Sequence, residues 1–455
     1  MPKPFSVLAF AYVYPPDAGS GTYRTLYFTN HWARQGVRIT IITVKESSFL
    51  KAALVDHGLS RQVHPSISVV RASAARPLER ILAVRNIFRR STTPASGGTP
   101  GEGSALESRP PRGALRVVKD TITDLLTCPD EHVGWVPYAI RAAHGLGRET
   151  EFDCIYGTGG PWSSLLAARA VSRLRGLPLV LDFRDPWAGN PNLTRRSPLS
   201  RRMQARMESL CVHGADLVVA NTEELRQDFV ARYGDVTPDR FMTVTNGFEE
   251  IPHATETTGA PQRFTLVHAG ALYQSRSPLN FLKAVAGILN DAAIPLADFR
   301  VLLVGGISVS DPAVQFELRS ERLRNAIEVI PRVSHEEALE LQRRASALML
   351  IQTGFPLQVP RKLYEYLSLA RPILAIAETG SATARMVSEL RAGYVVADNE
   401  QAIRGAILKL YGAWTTGAAP EIDRDRLRQY SNQFLAERLL GAMRRVAEVR
   451  GRAHV

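Results

Sequence analysis

The residues able to do chemistry gather in a few loops. In Val359-Pro-Arg-Lys-Leu-Tyr-Glu365, Pro360 starts a helix, Arg361 and Lys362 occupy its first turn, and Glu365 follows one turn on. Cations sit poorly at a helix N-terminus on dipole grounds. They fit if an anion is held there, between their side chains and the free backbone N–H groups. Glu365 then accepts hydrogen bonds from two ribose hydroxyls; the plainer alternative is an exposed helix start. A second loop, Gly270-Ala-Leu-Tyr-Gln-Ser-Arg276-Ser-Pro278, sets a glycine after a strand and an arginine beyond it. That suits a diphosphate clamp, or is simply a surface arginine. In Pro15-Pro-Asp-Ala-Gly-Ser-Gly-Thr-Tyr-Arg24, Gly19 and Gly21 precede a helix and let backbone N–H groups approach a ligand. The loop is not G-x-G-x-x-G, because Arg24 stands where the third glycine belongs, and a plain turn fits it equally well. Asp182-Phe-Arg184-Asp185-Pro-Trp187 is an acid–base–acid–aromatic cluster at a strand end. It reads either as a buried Asp–Arg pair fixing a loop or as one wall of a ligand site.

Such loops need parallel strands to carry them. Short apolar segments alternate with helical patterns at Val7–Val13, Arg38–Val44, Ile67–Val70, Cys154–Thr158, Leu179–Phe183, Leu217–Ala220 and Met242–Thr245. A second series follows at Phe264–Ala269, Arg300–Val304, Ala326–Val329, Ala347–Gln352, Ile373–Ala377 and Tyr394–Val396. This alternation predicts an α/β protein with two doubly wound Rossmann-like domains, and 455 residues suit two domains of about 200 each. The domains are placed at 1–250 and 251–425, with a helical segment at 426–455 packing back on the first. Ligands belong beyond the carboxyl ends of the strands, in a cleft between facing sheets. Residues 91–113, rich in Ser, Thr, Gly and Pro, read as a flexible surface insert.

Composition narrows the class. Phe5–Tyr14 reads as a buried first strand, because it lacks a small-x-small cleavage site and runs into Pro15-Pro16. No apolar run approaches the roughly 18 residues needed to cross a bilayer. Cys128, Cys154 and Cys211 are isolated in sequence, so neither a disulfide framework nor a zinc site is expected, and a cytoplasmic setting is the default. A net charge of +12 suits anionic partners, while no nucleic-acid-binding signature is present. Pro77–Arg90 reads as a helix with Leu78, Ile81, Leu82, Arg85 and Phe88 near one side and Arg80, Arg89 and Arg90 towards its flanks. Arg195, Arg196, Arg201, Arg202 and Arg206 form a second basic group. These are either ordinary solvated edges or a peripheral contact with an anionic membrane at its inner face.

Asp182-Phe-Arg-Asp-Pro-Trp187 resembles a segment of many bacterial glycosyltransferases of family 4, which have the GT-B fold. Pro129-Asp130-Glu-His132-Val-Gly-Trp135, Thr158-Gly-Gly-Pro-Trp-Ser-Ser164, His268-Ala-Gly-Ala-Leu-Tyr with Arg276-Ser-Pro, and Val359-Pro-Arg-Lys-Leu-Tyr-Glu-Tyr-Leu are similar to further elements of that group, in order. The resemblance implies a retaining, metal-independent transfer from a nucleotide-diphosphate sugar, with no cofactor. The donor is then bound by the second domain and the acceptor side is the first. By position, Gly19, Gly21 and Gly270 approach the donor, Arg361 belongs to the donor-binding helix start, Arg276 and Lys362 neutralise the diphosphate, and Glu365 holds the ribose. His132 and Asp185 are the polar groups set nearest a glycan or lipid-linked acceptor, as in cell-surface polysaccharide biosynthesis. One departure is Leu357, where the group has the earlier glutamate of a pair. A nucleotide-sugar 2-epimerase and an inactive GT-B binding subunit are the alternatives; joint retention of Arg276, Lys362 and Glu365 argues against the second.

Overall fold

The computed structural model describes residues 3–49, 54–75, 121–147, 150–249, 262–270, 272, 276–307, 311–418 and 420–453. The helix expected at Pro77–Arg90 and the insert expected at 91–113 lie outside these residues. The chain divides into two units, Met1–Thr245 with Leu435–Val455, and Asn246–Phe434.

Unit 1 holds strands β1 (Ser6–Phe10), β2 (Arg38–Val44), β3 (Ser68–Ala72), β4 (Cys154–Gly159), β5 (Leu179–Phe183), β6 (Leu217–Ala220) and β7 (Phe241–Thr243). They pair in parallel in the order β3-β2-β1-β4-β5-β6-β7. The order reverses between β1 and β4, which opens a crevice beyond their carboxyl ends. Central strands β1, β4 and β5 are buried along their whole length, as the covered faces of a parallel sheet require. β1 stops at Phe10, short of the expected Val13, because the Tyr12 N–H turns to the Ser164 hydroxyl at 3.0 Å. β7 ends at Thr243 rather than Thr245, since the carbonyls of Val244 and Thr245 accept hydrogen bonds from Arg24. Leu435, Leu439, Leu440 and Met443 pack into the same core as Val7, Trp32 and Ile41, each contributing about 1.5–3 kcal/mol when fully buried.

Unit 2 holds β8 (Phe264–Ala269), β9 (Phe299–Val304), β10 (Ile327–Ile330), β11 (Ala347–Gln352), β12 (Ile373–Ala377) and β13 (Gly393–Val396). Their parallel order is β10-β9-β8-β11-β12-β13, with the reversal between β8 and β11. Helix Leu279–Asn290 buries Phe281, Leu282, Val285 and Ile288 on one side of this sheet. Helix Arg361–Ser368 buries Leu363, Tyr364, Tyr366 and Leu367 in a second cluster with Ile373 and Met386. Both units are therefore doubly wound Rossmann-like sheets.

Candidate active site

In unit 2 the polar residues collect beyond β8 and β11, at the reversal of strand order. Gly270 follows β8 with φ +122°, a conformation that side chains rarely adopt, and a Cβ there would overlap the Lys362 ammonium. Lys362 stands in the first turn of helix Arg361–Ser368, whose start at Pro360 carries no side-chain cap. Burial, with repulsion from Arg276 and partial relief from Glu365, lowers its pKa from 10.5 to about 8. The Lys362 Nζ lies 3.5 Å from Nε2 of His268. Nδ1 of His268 lies 3.0 Å from the Met349 carbonyl, which also accepts from the Tyr366 hydroxyl at 3.3 Å. Tyr366 in turn accepts from the Ala269 N–H at 2.9 Å. Burial, then the charge of Lys362, pushes the His268 pKa well below its usual value, against the contacts with the Met349 and Gly270 backbone. The Arg276 guanidinium carbon is 5.7 Å from the centre of the Phe355 ring. Arg361 and Glu365, one helical turn apart, pair with each other at 3.1 Å.

In unit 1 the acid–base–acid cluster splits. Asp182 does not pair with Arg184; it takes a fork from Arg24, with Nε at 2.9 Å and a terminal nitrogen at 3.1 Å. The Tyr156 hydroxyl donates to the same carboxylate at 2.6 Å. Arg184 instead donates to the carbonyls of Gly159, at 2.6 Å, and Gly160. Its remaining terminal nitrogen fills the space where a Gly21 side chain would stand, so glycine at 21 is required by an arginine of the chain itself. Gly19 donates to the Asp17 carboxylate at 2.7 Å. Helix Ser20–Arg34 also starts without a side-chain cap. Burial raises the Asp17 pKa, opposed by its bond from Gly19 and by the fields of His132 and Arg184.

His132 packs against the Tyr12 ring at 4.1 Å between centroids, and burial lowers its pKa against the pull of Asp130, Glu131 and Asp17. Among the described residues none hydrogen-bonds its Nδ1. Asp130 fixes the loop, accepting from the His132 N–H at 3.0 Å and from the Ser163 N–H and hydroxyl at 2.9 and 2.6 Å. A cavity of about 320 Å³ opens here, lined by Pro129, His132, Trp162, Asn190 and Arg196 among others. Trp162 stacks on Trp187 at 5.7 Å, and the Trp187 indole donates to Gln204 at 3.0 Å, so Trp187 belongs to the core. Asp185 lies half-buried beside Gly160.

The structure thus gathers Gly270, Arg276 and Lys362 in unit 2, and in unit 1 sets Gly21 against Arg184 and His132 within the field of Asp17. His268, Asp17, Asp130 and Arg24 stand inside the quoted motifs, but the sequence reading gives them no role of their own. A histidine closing an apolar strand, and an aspartate two residues before a glycine, were the available signals for the first two. Arg201, Arg202 and Arg206 are exposed on helix Pro198–Gly214, whereas Arg196 turns to Asp124 at 3.3 Å and Thr127 at 2.7 Å. Among the described residues no helix is long and apolar enough to cross a membrane, and all three cysteines are free and buried.

Solved structures with the same architecture span nearly the whole chain. Sucrose-phosphate synthase from Thermosynechococcus elongatus superposes with a TM-score of 0.62 at 13% identity, covering 98% of this chain and 100% of its own. HepE from Anabaena, solved with UDP and glucose, gives 0.59 at 14% identity, covering 96% and 99%. A protein from Listeria monocytogenes described as a putative UDP-N-acetylglucosamine 2-epimerase gives 0.52 at 12%, covering 97% and 96%. At such identities the likeness shows the fold, and the fold is that of the GT-B class. No curated protein matches the sequence significantly. Residues 19–247 match the family model described as Glycosyl transferase 4-like domain, and residues 263–413 match Glycosyl transferases group 1. The chain belongs to the glycosyl transferase 4-like family, and the protein is a glycosyltransferase.

Proposed function

We propose that the protein transfers a sugar, with retention and without a metal ion, from a nucleotide-diphosphate sugar to a glycan or lipid-linked acceptor in cell-surface polysaccharide biosynthesis. The observation that carries the donor half is the closed-in Lys362 ammonium over Gly270, with Arg276 close enough to repel it. Two cations are held together at some cost, and a diphosphate between them relieves that cost. In this reading Arg276 and Lys362 stabilise the charge that grows on the leaving diphosphate. The start of helix Arg361–Ser368, which carries no side-chain cap, and the loop at Gly270 take further phosphate oxygens. Glu365 exchanges its pairing with Arg361 for the ribose hydroxyls. That HepE was solved with UDP and with UDP-glucose supports uridine donors as the first to try.

The acceptor half rests on the cavity beside His132. It has the volume of a small-ligand site and joins an indole face at Trp162 to the amide of Asn190 and the guanidinium of Arg196. His132 and Asp185 are the groups set to orient the acceptor hydroxyl. The working place is the cytoplasmic face of an anionic membrane, with Arg201, Arg202 and Arg206 as the contact. Isothermal titration with UDP and GDP, followed by transfer assays with NMR of the product anomer, tests the reading. Binding of neither nucleotide at millimolar concentration overturns it, and an inverted product overturns the stereochemical part alone. Conversion of a nucleotide sugar with no acceptor added favours the epimerase instead.

A further inference from the structure

We propose that His268 is a positioning residue: a neutral imidazole whose Nε2 lone pair holds the Lys362 ammonium over Gly270, where the donor diphosphate is met. The inference rests on the donor-binding reading above. His268 ends an otherwise apolar strand and is 1% exposed, a costly place for a ring with two polar nitrogens unless both have work. The Met349 carbonyl, 3.0 Å from Nδ1, can only accept, so Nδ1 carries the proton. Its place is fixed from two sides, because Tyr366 donates to the same carbonyl and accepts from the Ala269 N–H. A neutral ring protonated at Nδ1 leaves Nε2 as an acceptor; beside it lie the Gly270 backbone and, at 3.5 Å, the Lys362 Nζ, the ammonium being the side-chain donor there. The reverse tautomer would aim Nε2–H at the Gly270 backbone but set a lone pair against the Met349 oxygen at 3.0 Å, which is repulsive. A doubly protonated ring is opposed by burial and by the two neighbouring cations.

The groups around the ammonium explain why a neutral acceptor serves here. Arg276 repels it, and Glu365 attracts it while paired with Arg361 at 3.1 Å. A carboxylate in place of His268 would neutralise the lysine and compete with the diphosphate. The imidazole directs the ammonium and leaves its charge intact. The separation of 3.5 Å is at the long end for a hydrogen bond, and such bonds shorten when a site is filled.

Side-chain length separates the two ring nitrogens. In His268→Asn the amide reaches the Nδ1 position and can still donate to Met349, but nothing remains at Nε2. In His268→Gln the amide reaches Nε2 and can accept from Lys362. The expected result is UDP affinity about ten-fold weaker in the asparagine protein and within about three-fold of wild type in the glutamine protein, as one hydrogen bond to a charged group predicts. Adding His268→Asn to Lys362→Met should then change affinity no further, an outcome that a general structural role does not produce. Equal losses in Asn and Gln, or an undiminished Asn effect without Lys362, overturn the proposal. If Lys362→Met itself binds UDP like wild type, the donor reading fails and the proposal with it. Should the asparagine protein not fold, 15N-detected histidine NMR on wild type decides: a His268 protonated at Nε2 overturns the assignment.

Discussion

Lys362→Met offers the sharpest test of how the donor site is built, because stability and binding should move in opposite directions. The folded protein lowers the pKa of this ammonium from 10.5 to about 8, through burial first and Arg276 second. At 1.36 kcal/mol per unit, that difference is a folding cost of about 3 kcal/mol. The side chain keeps partial exposure, and screening there leaves about 2 kcal/mol. The sign follows from linkage. The unfolded chain holds its proton up to about 10.5 and the folded one only to about 8, so the cost is fully present below 8. It fades as pH rises from 8 to 10.5. Methionine keeps the length and apolar stem and removes the charge. At pH 7 the variant should therefore be more stable by about 2 kcal/mol, or about 4–8 °C in the transition that melts unit 2. This advantage should shrink towards zero by pH 10. UDP affinity should meanwhile fall by roughly 10–100-fold, as expected for losing a charged hydrogen bond. In wild type, UDP affinity should begin to weaken above pH 8, where the unliganded lysine loses its proton. Urea unfolding at pH 7 and 10, with titration calorimetry on the same preparations, measures both. A variant less stable than wild type at pH 7, or a stability gap independent of pH, refutes the reasoning.

Arg276→Ala should lower kcat by roughly 10²–10³ with only partial recovery in Arg276→Lys, as loss of a preorganised charge stabiliser predicts; unchanged turnover in a folded protein excludes the residue. Glu365→Gln should weaken nucleoside diphosphate binding about ten-fold and abolish discrimination against the deoxyribose form; equal discrimination by both proteins removes Glu365 from the ribose. Asp182→Asn should destabilise unit 1 by about 3–5 kcal/mol, because it leaves the Arg24 charge buried with half of its fork; a melting temperature within a degree of wild type contradicts that. Replacing Arg201, Arg202 and Arg206 together by Gln should reduce sedimentation with phosphatidylglycerol vesicles at low salt while leaving melting unchanged. Wild-type protein that stays in the supernatant ends the membrane reading.

What was legible in the sequence was whatever depends on local period. A strand such as Ala347–Gln352 is an apolar run closed by a glutamine, and its burial on both faces is what such a run means. The start of helix Arg361–Ser368 was legible too, because proline at its cap and two cations in its first turn are local facts. Pairings made by the fold were not. Arg24 and Asp182 lie far apart in the chain, so Asp182 was read against its neighbour Arg184 when its partner stands on the first helix. Gly21 looked like a door for a ligand, yet its missing side chain makes room for Arg184. The Arg361–Glu365 pair at 3.1 Å follows from a spacing of four, a local signal that competes with a ligand for both side chains.

The return of the chain at Leu435 bears on the order in which the protein can fold as it is made. Unit 2 is one uninterrupted stretch, Asn246–Phe434, and can close its cores as soon as that stretch has left the ribosome. Unit 1 is begun first and finished second. Its core waits for Leu435, Leu439, Leu440 and Met443, and the Trp32 indole N–H waits for the Ala436 carbonyl that it meets at 2.8 Å. Until those residues emerge, apolar surface beside Trp32 stays uncovered while roughly 190 residues are added, some ten to forty seconds at usual synthesis speeds. A nascent chain of this protein should therefore lean on a chaperone through its N-terminal half, and a stop codon placed near residue 434 should leave a sound unit 2 tethered to an unfinished unit 1.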